Sequence, residues 1–372
     1  MPSRSRIIRY AVAGLGYISQ AAVLPAFANA NENSELAALV SGDPEKLAGL
    51  SRKYGVGKTY SYERFDDCVR SGDVDAVYIA LPNSMHREYT EQAARAGVHV
   101  LCEKPMAVTE EDCEHMIEVC RKNKVRLMIA YRLHFDRANL SSIEVVQSGR
   151  IGAARIFNSV FTQQVVEGNI RLEPNESGGG TLYDIGIYCI NAARYLFRDE
   201  PVEVYAATAN NGEPRFRQSE EMASAILRFP GDRLAAFTCS FGAAGVADYE
   251  VVGTKGSLRL ERAYDYDSEM RQWISAGGRT EVTEFPKRDQ FSPQLIYFSN
   301  CILEDREPEP SGIEGLADIR VIRALYHSAS IENPVQLGFF APKPRPGIAQ
   351  ELSRPAVEQP ETIRAAGPSG QR

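Results

Sequence analysis

The sequence predicts an α/β chain in two parts: a doubly wound, Rossmann-type dinucleotide-binding domain, then an α+β domain built on a large, mostly antiparallel, open-faced sheet. Three observations predict it. Apolar strand patterns alternate with amphipathic helix patterns from Ile7 to about Arg132, the way parallel strands with right-handed crossovers are written. The first strand runs into Gly14-Leu15-Gly16, a turn whose following helix start can receive a pyrophosphate, since backbone N–H groups face the anion and no Cβ blocks its approach. After about Ser148 come longer alternating runs with short polar turns, the pattern of antiparallel hairpins with one buried face.

In the first part, strands are expected from Ile7 to Ala13, Leu36 to Val40, Ala76 to Leu81, Val98 to Leu101 and Arg126 to Ala130. A helix from about Asp136 to Ser148 leads into the second part. There strands are expected from Ala154 to Gln163, Val202 to Thr208, Ala223 to Phe229, Arg233 to Phe241, Asp248 to Gly253 and Ser257 to Glu261, with Pro230-Gly231-Asp232 as a hairpin turn. One long helix, Leu182 to Leu196, interrupts them, and two more follow at about Ser292 to Leu303 and Glu314 to Ser330. A chain of 372 residues is long for one core. The expected organisation is a dinucleotide domain over 1–132, a substrate-binding and dimerisation domain over 133–338, and a flexible Pro-rich tail over 339–372.

A hydrophobic share of 44% with 24% charged residues describes a soluble globular chain. The net charge of -7 argues against a nucleic acid or an anionic membrane as the main partner and leaves small molecules. Seven scattered cysteines without a C-x-x-C pair read as reduced thiols. Five histidines lack metal-ligand spacing, so no metal is expected. The stretch from Met1 to Arg6 leaves no room for an apolar signal core before the first strand, and no apolar run approaches the ~20 residues of a membrane span. A cytoplasmic protein is expected.

The cofactor turn reads Gly14-Leu15-Gly16-Tyr17-Ile18-Ser19, with Ser19 in place of a third glycine; a small residue there still allows close helix-strand packing. An NAD site usually presents an acid to the ribose hydroxyls at the end of the second strand. Here Leu39-Val40 runs into Ser41-Gly42-Asp43-Pro44-Glu45-Lys46, where Asp43 is better placed as an N-cap and Pro44 at the first helical position. That leaves Ser41, backbone N–H groups and Lys46 to meet a 2'-phosphate, which favours NADP; a solvated helix lysine is the plainer reading of Lys46. Leu81-Pro82-Asn83-Ser84-Met85-His86 follows a strand end where the nicotinamide ribose should pass. His86 is equally well a helix-cap histidine without chemical role.

Hydride transfer from a sugar or alcohol carbon needs a group that takes the hydroxyl proton and a cation that stabilises the developing oxyanion. Glu103-Lys104-Pro105 closes the strand Val98 to Leu101, at the edge where a doubly wound sheet binds its ligand. Lys104 suits the cation's role, with Glu103 to hold it; a lysine snorkelling at a strand end is the alternative. In the second part, Gly178-Gly179-Gly180 opens the long helix, and Asp184 and Tyr188 are four apart on one face. The carboxylate can orient a sugar hydroxyl while the phenol exchanges its proton, with its pKa lowered by a cation such as Lys104. A capped helix with a core tyrosine is the alternative.

These motifs together, with Leu39-Val40-Ser41-Gly42, Ile79-Ala80-Leu81-Pro82-Asn83-Ser84, Cys102-Glu103-Lys104-Pro105-Met106-Ala107 and Asp184-Ile185-Gly186-Ile187-Tyr188, resemble the Gfo/Idh/MocA oxidoreductase family, nearest its glucose-fructose oxidoreductase branch. The likeness covers about residues 8 to 335. It implies a Rossmann domain before an open-faced sheet that forms a homodimer or higher homo-oligomer. It also implies Lys104 as the catalytic lysine, Tyr188 where most of the wider family has histidine, and Asp184 as its substrate-orienting partner. By the same resemblance Arg132 and Arg171 stand near the nicotinamide and substrate, and Ser41 and Lys46 at the 2'-phosphate. The signal segment and N-terminal arm of the exported branch member are not expected here, so localisation and oligomer geometry are not carried over from it.

The function this predicts is an NADP-dependent aldose oxidoreductase acting at the anomeric carbon to give a lactone, with NADP either exchanged each cycle or held tightly and recycled by reducing a second sugar, a choice that no motif decides. A one-way NADP-dependent reductase or dehydrogenase, of the xylose dehydrogenase or 1,5-anhydrofructose reductase type, is the enzymatic alternative. A non-catalytic NADP-binding protein on the same fold is the alternative of another class.

Overall fold

The computed structural model describes residues 6–341 and 345–371. The amino-terminal reading of Met1 to Ser5 and the tail positions Pro342 to Pro344 lie outside the described residues. The chain divides into two compact units. One holds the chain as far as Arg132, with Asp289–Leu316 and the stretch from Arg354; the other holds Leu133–Arg288 and Ala317–Ser353.

The first unit is built on a six-stranded parallel sheet of β1 (Ile8–Ala13), β2 (Ser34–Val40), β3 (Lys58–Tyr60), β4 (Ala76–Ile79), β5 (His99–Cys102) and β6 (Leu127–Ile129), in the order β3-β2-β1-β4-β5-β6. That order reverses between β1 and β4, which opens a crevice at the carboxyl ends of the strands. β4 and β6 are buried at every position, as parallel strands covered on both faces must be, and hence read as apolar runs. Sequence patterning did not find β3, which has three residues and no buried one. The helix Ser292–Leu303 sits in this unit: Ser299 Oγ is 2.8 Å from Tyr10 Oη and 2.7 Å from Ser34 Oγ.

The second unit carries a nine-stranded sheet of β7 (Ala154–Thr162), β8 (Glu203–Ala209), β9 (Met222–Phe229), β10 (Arg233–Ser240), β11 (Val246–Gly253), β12 (Gly256–Glu261), β13 (Met270–Ala276), β14 (Arg279–Phe285) and β15 (Val335–Gln336). The order is β14-β13-β12-β11-β7-β10-β9-β8-β15; β7 and β10 run parallel, and the other neighbours antiparallel. The turn between β9 and β10 places Gly231 and Asp232 at φ 73° and 54°, the mirror-image turn that suits strand twist. One face of this sheet buries Phe157, Leu227, Phe229 and Phe237; on it Gln272 Nε2 donates to Ser142 Oγ of the helix Arg137–Gln147 at 2.8 Å, and Phe229 meets Phe197 of the helix Ile187–Phe197 at 5.0 Å between ring centroids. The other face leaves Ile156, Val160, Ile226, Leu234 and Val246 exposed.

The stretch expected as a flexible tail makes specific contacts where it is described. Arg345 is buried and pairs with Glu200, which also meets Arg194, itself fully buried and bonded to Asp318 at 2.5 Å.

Candidate active-site residues

In the first unit the expected cofactor residues follow the carboxyl ends of successive parallel strands. Gly14 has φ 94°, and a Cβ on it would lie 2.3 Å from the carbonyl oxygen of Ala80, so no other residue fits. At Gly16 nothing lies within 4 Å of a Cβ position, so space remains beside the turn. Tyr17 and Ile18 are half-buried after it, and Ser19, fully buried in the third-glycine position, donates its hydroxyl to Gly14 O at 2.5 Å. The residues past the turn open as a π-helical stretch, Ser19–Val23, where a plain helix start is the pattern's expectation.

At the end of β2, Ser41 is buried; its Oγ accepts from the Asp43 N–H at 3.2 Å. Asp43 caps the helix Pro44–Tyr54 through bonds to the N–H groups of Glu45 and Lys46 at 2.9 and 3.2 Å. Its Oδ1 is therefore spent on the helix. Gly42 is exposed and Lys46 half-buried.

Leu81, Pro82 and Asn83 form the turn after β4. His86 is fully buried, with Nδ1 3.0 Å from Pro105 O and Nε2 2.9 Å from Leu81 O. Both ring nitrogens face carbonyl oxygens, one in the turn after β4 and one in the turn after β5; burial pulls the imidazole below its ordinary value, so the neutral ring donates its one N–H to one of them and offers no nitrogen to a ligand. After β5, Glu103 accepts the Tyr78 phenol proton at 2.6 Å and the Lys104 N–H at 3.1 Å. Burial pushes the Glu103 carboxyl up from the ordinary range, against the opposing pull of the Tyr78 bond and the Lys104 charge. After β6, Arg132 is buried and donates to the side-chain oxygen of Gln290. A glycine turn with a sterically required Gly14, free space at Gly16 and a helix start without a free capping carboxylate fit a dinucleotide.

In the second unit the helix opening is also unlike a plain α-helix. Leu182–Gly186 is π-helical and continues as the α-helix Ile187–Phe197, so Asp184 belongs to the wider coil and Tyr188 to the tighter one. Such bulges recur at functional sites. Gly179 is needed where a Cβ would come within 1.9 Å of Glu173 O. Thr181 is fixed by Glu220, whose Oε1 accepts from the Thr181 N–H at 2.6 Å and hydroxyl at 2.7 Å and from Tyr326 Oη at 2.9 Å.

Asp184 and Tyr188 are both half-buried. Asp184 Oδ2 accepts from Arg171 Nε at 2.6 Å and from Gln163 Nε2 at 3.1 Å. Tyr188 packs against Phe161 and Tyr264, with ring centroids 5.5 and 5.8 Å away. Arg171, expected near nicotinamide and substrate, belongs to the second unit and to Asp184. Sequence reasoning missed Gln163, Tyr78 and Glu220; Gln163 had only its place at a strand end as a signal.

Among the described residues no helix is long and apolar enough to cross a membrane. The oxidoreductase family model described by an NAD-binding Rossmann fold matches residues 8–131, and the GFO/IDH/MocA C-terminal domain matches residues 142–259. The chain is 35% identical over 337 residues to a D-xylose 1-dehydrogenase [NADP(+)] of Haloarcula marismortui, covering 89% of this chain and 93% of that one. It is similar to the crystal structure of aldose-aldose oxidoreductase from Caulobacter crescentus complexed with glycerol, at TM-score 0.85 and 41% identity, over 89% of this chain and all (100%) of the other. The structure of KijD10, a 3-ketoreductase from Actinomadura kijaniata in complex with NADP and TDP-benzene, matches at TM-score 0.79 and 27% identity over 87% of this chain and 98% of that one. With both halves matched in order and these motifs in place, the chain belongs to the Gfo/Idh/MocA oxidoreductase family.

Proposed function

We propose that this protein is an NADP-dependent sugar oxidoreductase that oxidises an aldose at its anomeric carbon to a lactone, with NADP retained between half-reactions and recycled by a second sugar. The observation that carries this reading is Asp184, a half-buried carboxylate held by Arg171 and Gln163 four positions before the Tyr188 phenol, in a chain similar throughout to an aldose-aldose oxidoreductase and to an NADP-dependent xylose dehydrogenase.

NADP, when bound, supplies the hydride acceptor. Its holders are assigned to Gly14, Gly16, Tyr17, Ile18, Ser41, Gly42, Lys46, the Leu81-Pro82-Asn83 turn, Glu103, Lys104 and Arg132, all in the first unit. The Lys104 ammonium stabilises negative charge growing on the anomeric oxygen, and Glu103 orients it. Tyr188 Oη takes the anomeric hydroxyl proton as its own proton passes to solvent, and the C1–H electron pair leaves as hydride. Asp184 accepts hydrogen bonds from sugar hydroxyls. Arg171 keeps that carboxylate aimed.

Likeness to the xylose dehydrogenase over 93% of its length favours a second reading, a one-way dehydrogenase with exchangeable NADP. The seven free, buried thiols support a reducing, cytoplasmic setting. The exposed apolar face of the second sheet supports pairing with a second copy there, since patches of this kind mark interaction sites.

The test is the absorbance spectrum of the purified, dialysed protein, followed by addition of single aldoses. Retained nucleotide that becomes reduced on adding an aldose and reoxidised on adding a second sugar is the expected result. Turnover only with added NADP points to the one-way enzyme. No response to any aldose, with nucleotide bound, overturns both.

A further inference from the structure

The segment from Arg354 belongs to the first unit, and its contacts fall on two parts of the cofactor cradle. Gln20, 1% exposed, donates Nε2 to Leu15 O at 2.9 Å and to Ile363 O at 3.0 Å, and its Oε1 accepts the Ile363 N–H at 2.7 Å. One buried amide thus ties the Gly14-Leu15-Gly16 turn to residue 363, with its donor and acceptor both satisfied. The Ile363 side chain lies over Gly49 of the helix Pro44–Tyr54, where a Cβ would come within 2.4 Å of Ile363 Cδ1. A larger residue at 49 would push this segment away.

The next residue, Arg364, has φ 48° and carries its guanidinium to the amino end of the same helix. Nε is 3.3 Å from Asp43 Oδ2 and Nη1 3.0 Å from Glu45 Oε1. Two carboxylates at the start of that helix would repel an arriving phosphate dianion. Arg364 offsets both, and a guanidinium suits planar recognition of phosphate oxygens.

We infer that the carboxyl-terminal segment is a strap across the nucleotide cradle, in which Ile363 fastens to the glycine turn and Arg364 is a cation for the 2'-phosphate of NADP. This rests on the proposed placement of that phosphate at Ser41 and Lys46. The strap gives the chain a means of slowing nucleotide release and of preferring NADP to NAD.

The experiment is a fluorescence titration of the full-length protein, stripped of nucleotide, with NADPH and with NADH, for wild type, Arg364→Ala, Arg364→Lys, Ile363→Gly and Lys46→Ala. Arg364→Ala should raise the Kd for NADPH by about tenfold and leave NADH nearly unchanged. Arg364→Lys should restore part of that loss, and Ile363→Gly should speed release of both nucleotides. Arg364→Ala and Ile363→Gly binding like wild type while Lys46→Ala loses NADPH selectively would overturn the strap and leave the phosphate placement standing. No selectivity in either Arg364→Ala or Lys46→Ala would remove both.

Discussion

Arg171 Nε stands 2.6 Å from Asp184 Oδ2, and both side chains belong to the second unit. The resemblance sets Arg171 near nicotinamide and substrate, and the pair lets it hold the carboxylate proposed to meet the sugar. Arg171→Ala is therefore expected to lower kcat/KM for the sugar by about tenfold to a hundredfold, the cost of a charged hydrogen bond. The nucleotide Kd should not move. Steady-state kinetics with a separate nucleotide titration checks this, and a parallel loss in nucleotide affinity would return Arg171 to the cofactor.

Gly14 cannot take a side chain without moving the backbone of Ala80. Gly14→Ala should cost roughly 2 kcal/mol or more of stability, from strain at positive φ and the displaced strand end. It should also weaken nucleotide binding. Thermal melts with and without NADP measure both effects, and Gly16→Ala, where a Cβ meets no protein atom, should affect the nucleotide far more than the fold.

Acid should destabilise the first unit through His99. Burial, aided by the Arg126 guanidinium, pulls this imidazole down to about 4, and neutral Nδ1 accepts the Arg126 N–H at 2.9 Å. The unfolded chain binds the proton at about 6.5, so stability is full above that pH and declines as pH falls toward 4. With allowance for solvent screening the loss is about 2 kcal/mol. Urea unfolding at pH 7 and pH 4.5 should show a smaller acid penalty for His99→Asn, which keeps an acceptor but has no proton to gain; an unchanged penalty would rule the mechanism out.

The parts of the fold legible in the sequence are those whose burial is uniform or strictly alternating. β1 and β4 are apolar because helices cover both faces of a parallel sheet, and β9 alternates because one of its faces is packed. β14 is exposed at nearly every position and left no period to read; β3 was too short. Among the candidate residues, Lys104, Asp184 and Tyr188 were legible as motif residues. Gln163 and Tyr78 were not, since each acts through one hydrogen bond to a residue distant in sequence; nor was Gln20, whose amide ties Leu15 to Ile363, and the π-helical turn at Leu182–Gly186 changes the pitch without changing the pattern.

The outward face of the second sheet is expected to hold a second copy. Ile226 pairs across the sheet with the exposed Tyr205 and the half-buried Ala236. Ile226→Glu should shift sedimentation from dimer toward monomer, because a charge buried at an interface without a partner costs several kcal/mol. An unchanged sedimentation profile would place the interface elsewhere.

The central claim is that Lys104 and Tyr188 serve one hydride transfer, and a double-mutant cycle on the hydride-transfer rate tests it most directly. Lys104→Met, Tyr188→Phe and the double variant are each followed by nucleotide absorbance in a single turnover, after confirming that NADP still binds. The account predicts that each single change removes nearly all activity and that the double variant is little worse than either, as for groups acting on one oxygen. Near-wild-type rates in either single variant, or losses that simply add, would contradict it.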